Sequence, residues 1–217
     1  MSTSRIEGLY AITDPELIDA HVLVDGVRGV IQNGARVIQY RNKTDDRHVR
    51  EHQALELVKL CRGYHVPLIV NDDIAVADSV HADGVHLGRH DRLVTEARRV
   101  LGDHALIGVS CYHSLERAVA AEQDGADYVA IGRFFSSYTK PDAAEATLDL
   151  LRAVKARLKI PVVAIGGITI DNAAQLIEAG ADAVAVIHGL FAQPDPAGTA
   201  RRFARLFQTH RESPVGR

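Results

Sequence analysis

Three cations and two carboxylates are the residues whose types could do chemistry together: Arg41, Lys43 and Lys140, with Asp72 and Asp91. Arginine offers a planar fork of donors to phosphate oxygens, and lysine a compact point charge. Three such groups brought together imply a ligand with several negative charges. Carboxylates beside that ligand would repel it unless a cation lay between them. Mg2+ meets this need, because it takes one or two carboxylates and fills its remaining positions with phosphate oxygens and water. A pyrophosphate with Mg2+ therefore fits these residues better than a simple monophosphate. The alternative for the acids is helix capping, since aspartate is a favoured N-cap. Asp73 is read as a cap, and for Asp72 and Asp91 both roles stay open. A second anion site is suggested by Gly166-Gly167, which follows an apolar run and can bring backbone N–H groups close to a phosphate.

Charges this far apart in the chain need elements that bring them to one place. Short Val- and Ile-rich runs occur at Leu9–Thr13, Val37–Tyr40, Leu68–Val70, Gly84–Leu87, Leu106–Ser110, Tyr128–Gly132, Val162–Ile165 and Ala183–Ile187. Their nearly continuous hydrophobicity is that of strands covered on both faces. Helical patterns lie between them at Leu17–Gln32, Asp46–Arg62, Asp91–Leu101, Ser114–Gln123, Glu145–Leu158 and Asn172–Ala179, and a last one covers Gly198–His210. One connection recurs, in Asn33-Gly34-Ala35-Arg36, His81-Ala82-Asp83-Gly84, Asp124-Gly125-Ala126-Asp127 and Ala179-Gly180-Ala181-Asp182. In three of the four a glycine follows the helix, where a left-handed cap needs no Cβ. The repetition predicts a regular βα array over residues 1–217 as one domain, with a frayed tail at about 212–217.

About eight βα units of this length close into a (β/α)8 TIM barrel. The rival is a doubly wound open sheet, which calls for a Gly-rich dinucleotide turn after the first strand. Here that strand runs into Thr13-Asp14-Pro15 instead. A barrel gathers its chemistry at the C-terminal ends of its strands, and those ends carry the polar residues. They are Gln39-Tyr40-Arg41-Asn42-Lys43, Asn71-Asp72-Asp73, His86-Leu87-Gly88, Ser110, Ser136-Ser137-Tyr138-Thr139-Lys140, Gly166-Gly167 and Ile187-His188-Gly189. The opposite rim carries the repeated Gly-Ala-Asp loops, so Asp127 and Asp182 are read as structural. His86 is expected to be packed and hydrogen-bonded, and His48, His52, His104 and His210 to lie on the surface. His113 and His188, nearer the rim, stay open.

Bulk properties narrow the function classes. Of the 217 residues, 47% are hydrophobic and 24% charged, so a sizeable core is available and disorder is not expected. A net charge of -3 argues against broad nucleic-acid affinity. No apolar run approaches the ~20 residues that span a bilayer, and Met1–Thr13 lacks a secretory signal pattern. Cys61 and Cys111 show no metal-ligand spacing and read as reduced, semi-buried thiols. The expectation is a cytoplasmic protein acting on small molecules, without nucleic-acid or membrane partners. A homo-oligomer is compatible with it.

The ordered motifs from Leu9 to Phe191 resemble the thiamine-phosphate synthase family. They are Leu9-Tyr10-Ala11-Ile12-Thr13-Asp14, Gln39-Tyr40-Arg41-Asn42-Lys43, Asn71-Asp72, Ala82-Asp83-Gly84-Val85-His86-Leu87-Gly88, Gly108-Val109-Ser110, Ser137-Tyr138-Thr139-Lys140 and Ala164-Ile165-Gly166-Gly167-Ile168. Each is modest alone; their order and spacing together are specific. The resemblance implies an enzyme that couples an aminopyrimidine pyrophosphate to a thiazole phosphate, giving thiamine phosphate and pyrophosphate. It implies that Gln39, Tyr40, Arg41, Asn42, Lys43, Asn71, Ser110 and Lys140 hold the pyrimidine pyrophosphate. It implies that Arg41, Lys43, Ser110 and Lys140 form the catalytic set. Asp72 and Asp91 would bind one Mg2+ per subunit. Ser137, Tyr138, Thr139, Gly167, Ile187 and His188 would hold the thiazole phosphate. Departure of pyrophosphate would leave a pyrimidine-methyl cation for the thiazole nitrogen to attack, so the protein's work is electrostatic stabilisation and alignment.

This sequence departs from the commoner family pattern at four positions. Tyr112 stands where His is frequent, Arg89 for Gln, Ser137 for Thr, and His188 for Ser. Two alternatives follow from the same resemblance. A thiazole tautomerase-like isomerase would rely on a His after the fifth strand, and here His113 is one place off. A non-catalytic thiazole-phosphate-binding barrel would have lost the metal acids, which are present.

Overall fold

The computed structural model describes residues 6–88, 94–136 and 145–212. Eight parallel strands close into a barrel in sequence order, each paired with the next and β8 with β1. The strands are β1 (Gly8–Ile12), β2 (Ala35–Tyr40), β3 (Leu68–Asn71), β4 (Gly84–Leu87), β5 (Leu106–Tyr112), β6 (Tyr128–Ile131), β7 (Val162–Ile165) and β8 (Ala183–Val186). The helices are α1 (Leu23–Gln32), α2 (Arg47–Tyr64), α3 (Ile74–Ser79), α4 (Val94–Leu101), α5 (Leu115–Gln123), α6 (Leu148–Arg157), α7 (Ala173–Glu178), α8 (His188–Phe191) and α9 (Pro196–Glu212). This is the expected (β/α)8 fold, and closure by the β1–β8 pair excludes the open sheet.

All eight expected strands are present, β4 and β7 with the expected ends and the others with ends moved by one or two residues. The helical pattern at Leu17–Gln32 is shorter than expected. Residues 17–22 form turns held by bonds from the Leu17 and Ile18 amides to the Asp14 carbonyl, and the helix begins at Leu23. The next helix runs on to Tyr64, where His65 closes it in a left-handed conformation. Of the short helices, α3 was foreshadowed only by the reading of Asp73 as its cap, and α8 was not expected. Of the helix expected at Asp91–Leu101, the first three residues lie outside the described residues, as do 213–217 of the tail.

The packing has two layers divided by strand alternation. One face of each strand meets the helices in a large outer core that includes Leu57, Ile107, Val129 and Phe203. The other face fills the barrel with Tyr10, Ile12, Val37, Ile69, Tyr128, Ala130, Val163, Ala183 and Ala185. Because side chains alternate along a strand, Gln39, Asn71 and Ser110 share the inward parity of Val37, Ile69 and Gly108. They form a polar layer above the apolar one. Gly108 is required by this filling: a Cβ there would lie 2.0 Å from Cζ of Tyr128.

The N-terminal rim is built by the recurring loops. Asp83 accepts from the Leu68 amide at 3.0 Å, Asp127 from Ile107 at 2.7 Å and Asp182 from Val162 at 2.7 Å. Asp127 also pairs with Arg98, and Asp182 with Lys155, both at 2.6 Å. Gly34, Gly125 and Gly180 have positive φ, and His81 takes the same conformation in the fourth loop. The structural reading of Asp127 and Asp182 holds. Both cysteines are fully buried rather than half-buried, and burial pushes each thiol up to about 12.

Candidate active site at the C-terminal rim

Parallel strands in a closed barrel deliver their C-terminal ends to one rim, and the expected site residues follow those ends. Arg41, Asn42 and Lys43 leave β2. The backbone of Arg41 is tied to β1 by its N–H, which donates to Thr13 Oγ1 at 3.0 Å. Its guanidinium Nη1 donates to Asp14 Oδ2 at 2.7 Å, with the Asp14 side chain 5% exposed. Asp14 is a residue the sequence reading passed over. Asn42 braces the loop: its Nδ2 donates to Gln53 Oε1 at 2.9 Å and its Oδ1 accepts from the Thr44 amide. Tyr40 points to the helix layer, where its hydroxyl donates to the same Gln53 oxygen at 2.8 Å. Burial pushes its phenol up to about 12.

A cavity of about 510 Å3 opens between the ends of β2 and β3. Lys43, Arg50, Asn71, Asp72 and Asp73 line its polar side, and Tyr40 forms part of its wall. Asp73 is the N-cap of α3, its carboxylate accepting from the Val76 amide at 3.0 Å, as expected. The same carboxylate pairs with Arg50 at 3.2 Å. Arg50 is a second residue missed in the sequence; the available signal was a cation one turn into the helix after β2. Asp72 is not a cap. It is exposed and has φ 62, a conformation aspartate tolerates better than most residues. Its carboxylate and the neighbouring Asn71 are hard oxygen donors, which suit Mg2+ rather than a softer metal. Asp91, its expected companion, lies outside the described residues.

Deeper in the barrel, Ser110 Oγ lies 2.9 Å from His86 Nε2, and His86 Nδ1 lies 3.1 Å from the Tyr128 hydroxyl. His86 is therefore packed and hydrogen-bonded, as expected. Gln39 Nε2 donates to the Tyr10 hydroxyl at 2.8 Å. On the far side of the rim, the loops after β6 and β7 are stitched together. Phe134 N–H donates to the Ile165 carbonyl and Phe135 N–H to the Gly166 carbonyl. Gly167 has φ 64, and a Cβ there would lie 2.5 Å from the Ser136 carbonyl oxygen, so only glycine lets these loops close. Ile187 and His188, half-buried, lead from β8 into α8. Ser137, Tyr138, Thr139 and Lys140 lie outside the described residues, as does Arg89. His113 is exposed, while Tyr112 has φ 56 with the Arg117 guanidinium 5.5 Å from its ring centre.

Comparison with known proteins decides what this rim belongs to. A sequence model described as thiamine monophosphate synthase matches residues 9–190. The chain belongs to the thiamine monophosphate synthase family. A thiamine-phosphate synthase of Nitrosococcus oceani is 50% identical over 205 residues, covering 94% of each chain. One from Alcanivorax borkumensis is 48% identical over 217 residues, covering 99% of this chain and all of its own. Among solved structures, a thiamine phosphate pyrophosphorylase from Pyrococcus furiosus is 34% identical, covers 95% of this chain and 97% of its own, and superposes with a TM-score of 0.86.

For a thiamine monophosphate synthase family member, the described part of the rim brings together Gln39, Arg41 and Lys43 from the end of β2, Asn71 and Asp72 from β3, and Ser110 from β5. Gly167, Ile187 and His188 come from the neighbouring β7 and β8. Among the described residues no helix is long and apolar enough to cross a membrane.

Proposed function

We propose that this chain is a thiamine-phosphate synthase, joining 4-amino-2-methyl-5-hydroxymethylpyrimidine pyrophosphate to hydroxyethylthiazole phosphate with release of pyrophosphate. The observation that carries the reading is the cavity after β2 and β3, where Lys43 meets the oxygen donors Asn71 and Asp72. Cations beside hard oxygen donors suit a diphosphate that arrives with a divalent metal.

In this reading Gln39, Asn71 and Ser110 orient the pyrimidine from the barrel's polar layer, and Tyr40 and Asn42 shape the wall beside it. Arg41, Lys43 and Lys140 neutralise the charge that grows on the departing pyrophosphate, stabilising the transition state more than the bound substrate. Asp14 holds the Arg41 guanidinium in place, so its positive charge is set before the reaction. Asp72 and Asp91 would hold Mg2+, which adds positive charge on the diphosphate when bound. Ser137, Tyr138, Thr139, Gly167, Ile187 and His188 would hold the thiazole phosphate, aligning its ring nitrogen with the pyrimidine methylene. Alignment of two bound rings can account for a large part of the rate, since it turns a bimolecular attack into an effectively unimolecular one.

The test is a coupling assay. Purified protein with Mg2+ and both substrates should give thiamine phosphate and one pyrophosphate for each. Isomerised thiazole without coupling, or thiazole-phosphate binding without turnover, would overturn the reading.

A further inference from the structure

A continuous line of hydrogen bonds crosses the barrel interior and joins two of the residues assigned to the pyrimidine. It runs from Gln39 Nε2 to the Tyr10 hydroxyl at 2.8 Å, and from Tyr10 to the Tyr128 hydroxyl at 2.8 Å. It continues to His86 Nδ1 at 3.1 Å and from His86 Nε2 to Ser110 Oγ at 2.9 Å. Its members come from β2, β1, β6, β4 and β5 in turn, so no local segment of sequence contains it. Tyr10, Tyr128, Gln39 and His86 are all buried. The two phenol rings lie tilted to one another at 54° with centres 6.0 Å apart, and the Tyr128 and His86 ring centres are 5.6 Å apart.

Each hydroxyl has a single proton, so all the bonds of the line must run the same way, and the Gln39 amide sets which way. Gln39 donates to Tyr10, so Tyr10 gives its proton to Tyr128. Tyr128 then gives its own to His86, whose Nδ1 must accept. The imidazole carries its proton on Nε2 and donates to Ser110. What remains is the Gln39 carbonyl oxygen, an acceptor, and the Ser110 hydroxyl proton, a donor. Turning the Gln39 amide over would reverse every bond and exchange the roles of the two ends. Burial holds both phenols above their ordinary titration range, so neither leaves the line as a phenolate at neutral pH.

We propose that Tyr10, Tyr128 and His86 are positioning residues that set the polarity of the pyrimidine site, making Gln39 an acceptor and Ser110 a donor as one unit. That pairing suits a ring with an amino group to give and ring nitrogens to receive, as an aminopyrimidine has. Ring analogues with the opposite pattern are rejected, because a buried polar group left without its partner is costly. Gly108 belongs to the same device, since it leaves room for the Tyr128 ring that carries the line.

The inference rests on the proposed activity, and its test separates the two. Tyr128→Phe keeps the ring and removes the central hydroxyl; Tyr10→Phe cuts the line one bond earlier and serves if the first variant folds poorly. Loss of one or two oriented hydrogen bonds should raise KM for the pyrimidine pyrophosphate about 5–30-fold, with KM for the thiazole phosphate changed less than about twofold. The Tyr128→Phe effect should shrink in a Ser110→Ala background, because the two act through one line. Asp182→Ala, destabilised at the far rim, should show no such split. Wild-type protein that forms no thiamine phosphate would overturn the activity and this inference with it. Active wild type whose variants raise both KM values alike, or neither, or whose double variant is additive, would overturn the inference alone.

Discussion

Arg41 and Asp14 form an ion pair of 2.7 Å at the edge of the barrel mouth, with side chains 17% and 5% exposed. The carboxylate is committed on both oxygens: Oδ2 takes Arg41, and Oδ1 accepts from the Glu16 amide at 3.0 Å. Asp14→Asn keeps the amide contact and loses the charge. The variant should lose about 1–3 kcal/mol of stability and should raise KM for the pyrimidine pyrophosphate, since Arg41 is then free to rotate away. Thermal melting with steady-state kinetics checks this. An unchanged KM would show that Arg41 needs no brace.

Asp72 and Asp73 are neighbours with opposite expected phenotypes. Asp73→Ala removes the cap of α3 and should cost about 1 kcal/mol while leaving the Mg2+ titration of activity in place. Asp72→Asn should do the reverse, moving the Mg2+ midpoint to higher concentration with little change in melting temperature. Asp91→Asn should follow Asp72→Asn. A normal Mg2+ titration in both would remove the metal role from these acids.

Asp182→Ala leaves Lys155 and the Val162 amide without their shared acceptor. A loss of about 1–3 kcal/mol is expected, or about 2–4 °C of melting temperature for each kcal/mol in a chain of this size. Both KM values should stay at wild type. A catalytic defect larger than the stability loss would contradict the division between the two rims.

Cys61 and Cys111 are held at about 12 against an ordinary 9.0, because burial disfavours the thiolate. The folded state keeps these protons where the unfolded chain has lost them. Their contribution is complete below about 9 and is lost as pH rises toward about 12, with a slope of up to about 1.4 kcal/mol per pH unit for each thiol. Buried phenols act in the same sense from a higher starting value. Denaturant titrations from pH 8 to 11 should therefore fall less steeply for Cys61→Ala/Cys111→Ala than for wild type. Identical slopes would argue against the burial account.

The strands were legible because both faces are buried and the chain writes that as unbroken Val and Ile. The short helix α3 showed only through its cap Asp73, and the four residues of α8 are too few to display a helical period. Leu17 and Ile18 looked helical because they are apolar at the right spacing, but two bonds to the Asp14 carbonyl close a turn there first. At the site, charge was easy to read and companionship was not. Arg41 announces itself beside Lys43, while Asp14 becomes its partner only because β1 pairs with β2. Tyr10 and Tyr128 look like ordinary core aromatics until five strands close and their hydroxyls meet.

The foot of the barrel has a periodicity its mouth lacks. Asp83, Asp127 and Asp182 each fasten an even-numbered strand to the odd one before it, so three of the four successive strand couples carry the same buckle. Circular permutants opened at His65–Pro67, between couples, would retain all three buckles. New termini placed in the loops that carry Asp83, Asp127 or Asp182 would each undo one. The molecule is in this sense assembled from hairpin-sized βαβα modules, and insertions or new chain ends should be tolerated at module borders before they are tolerated inside a module.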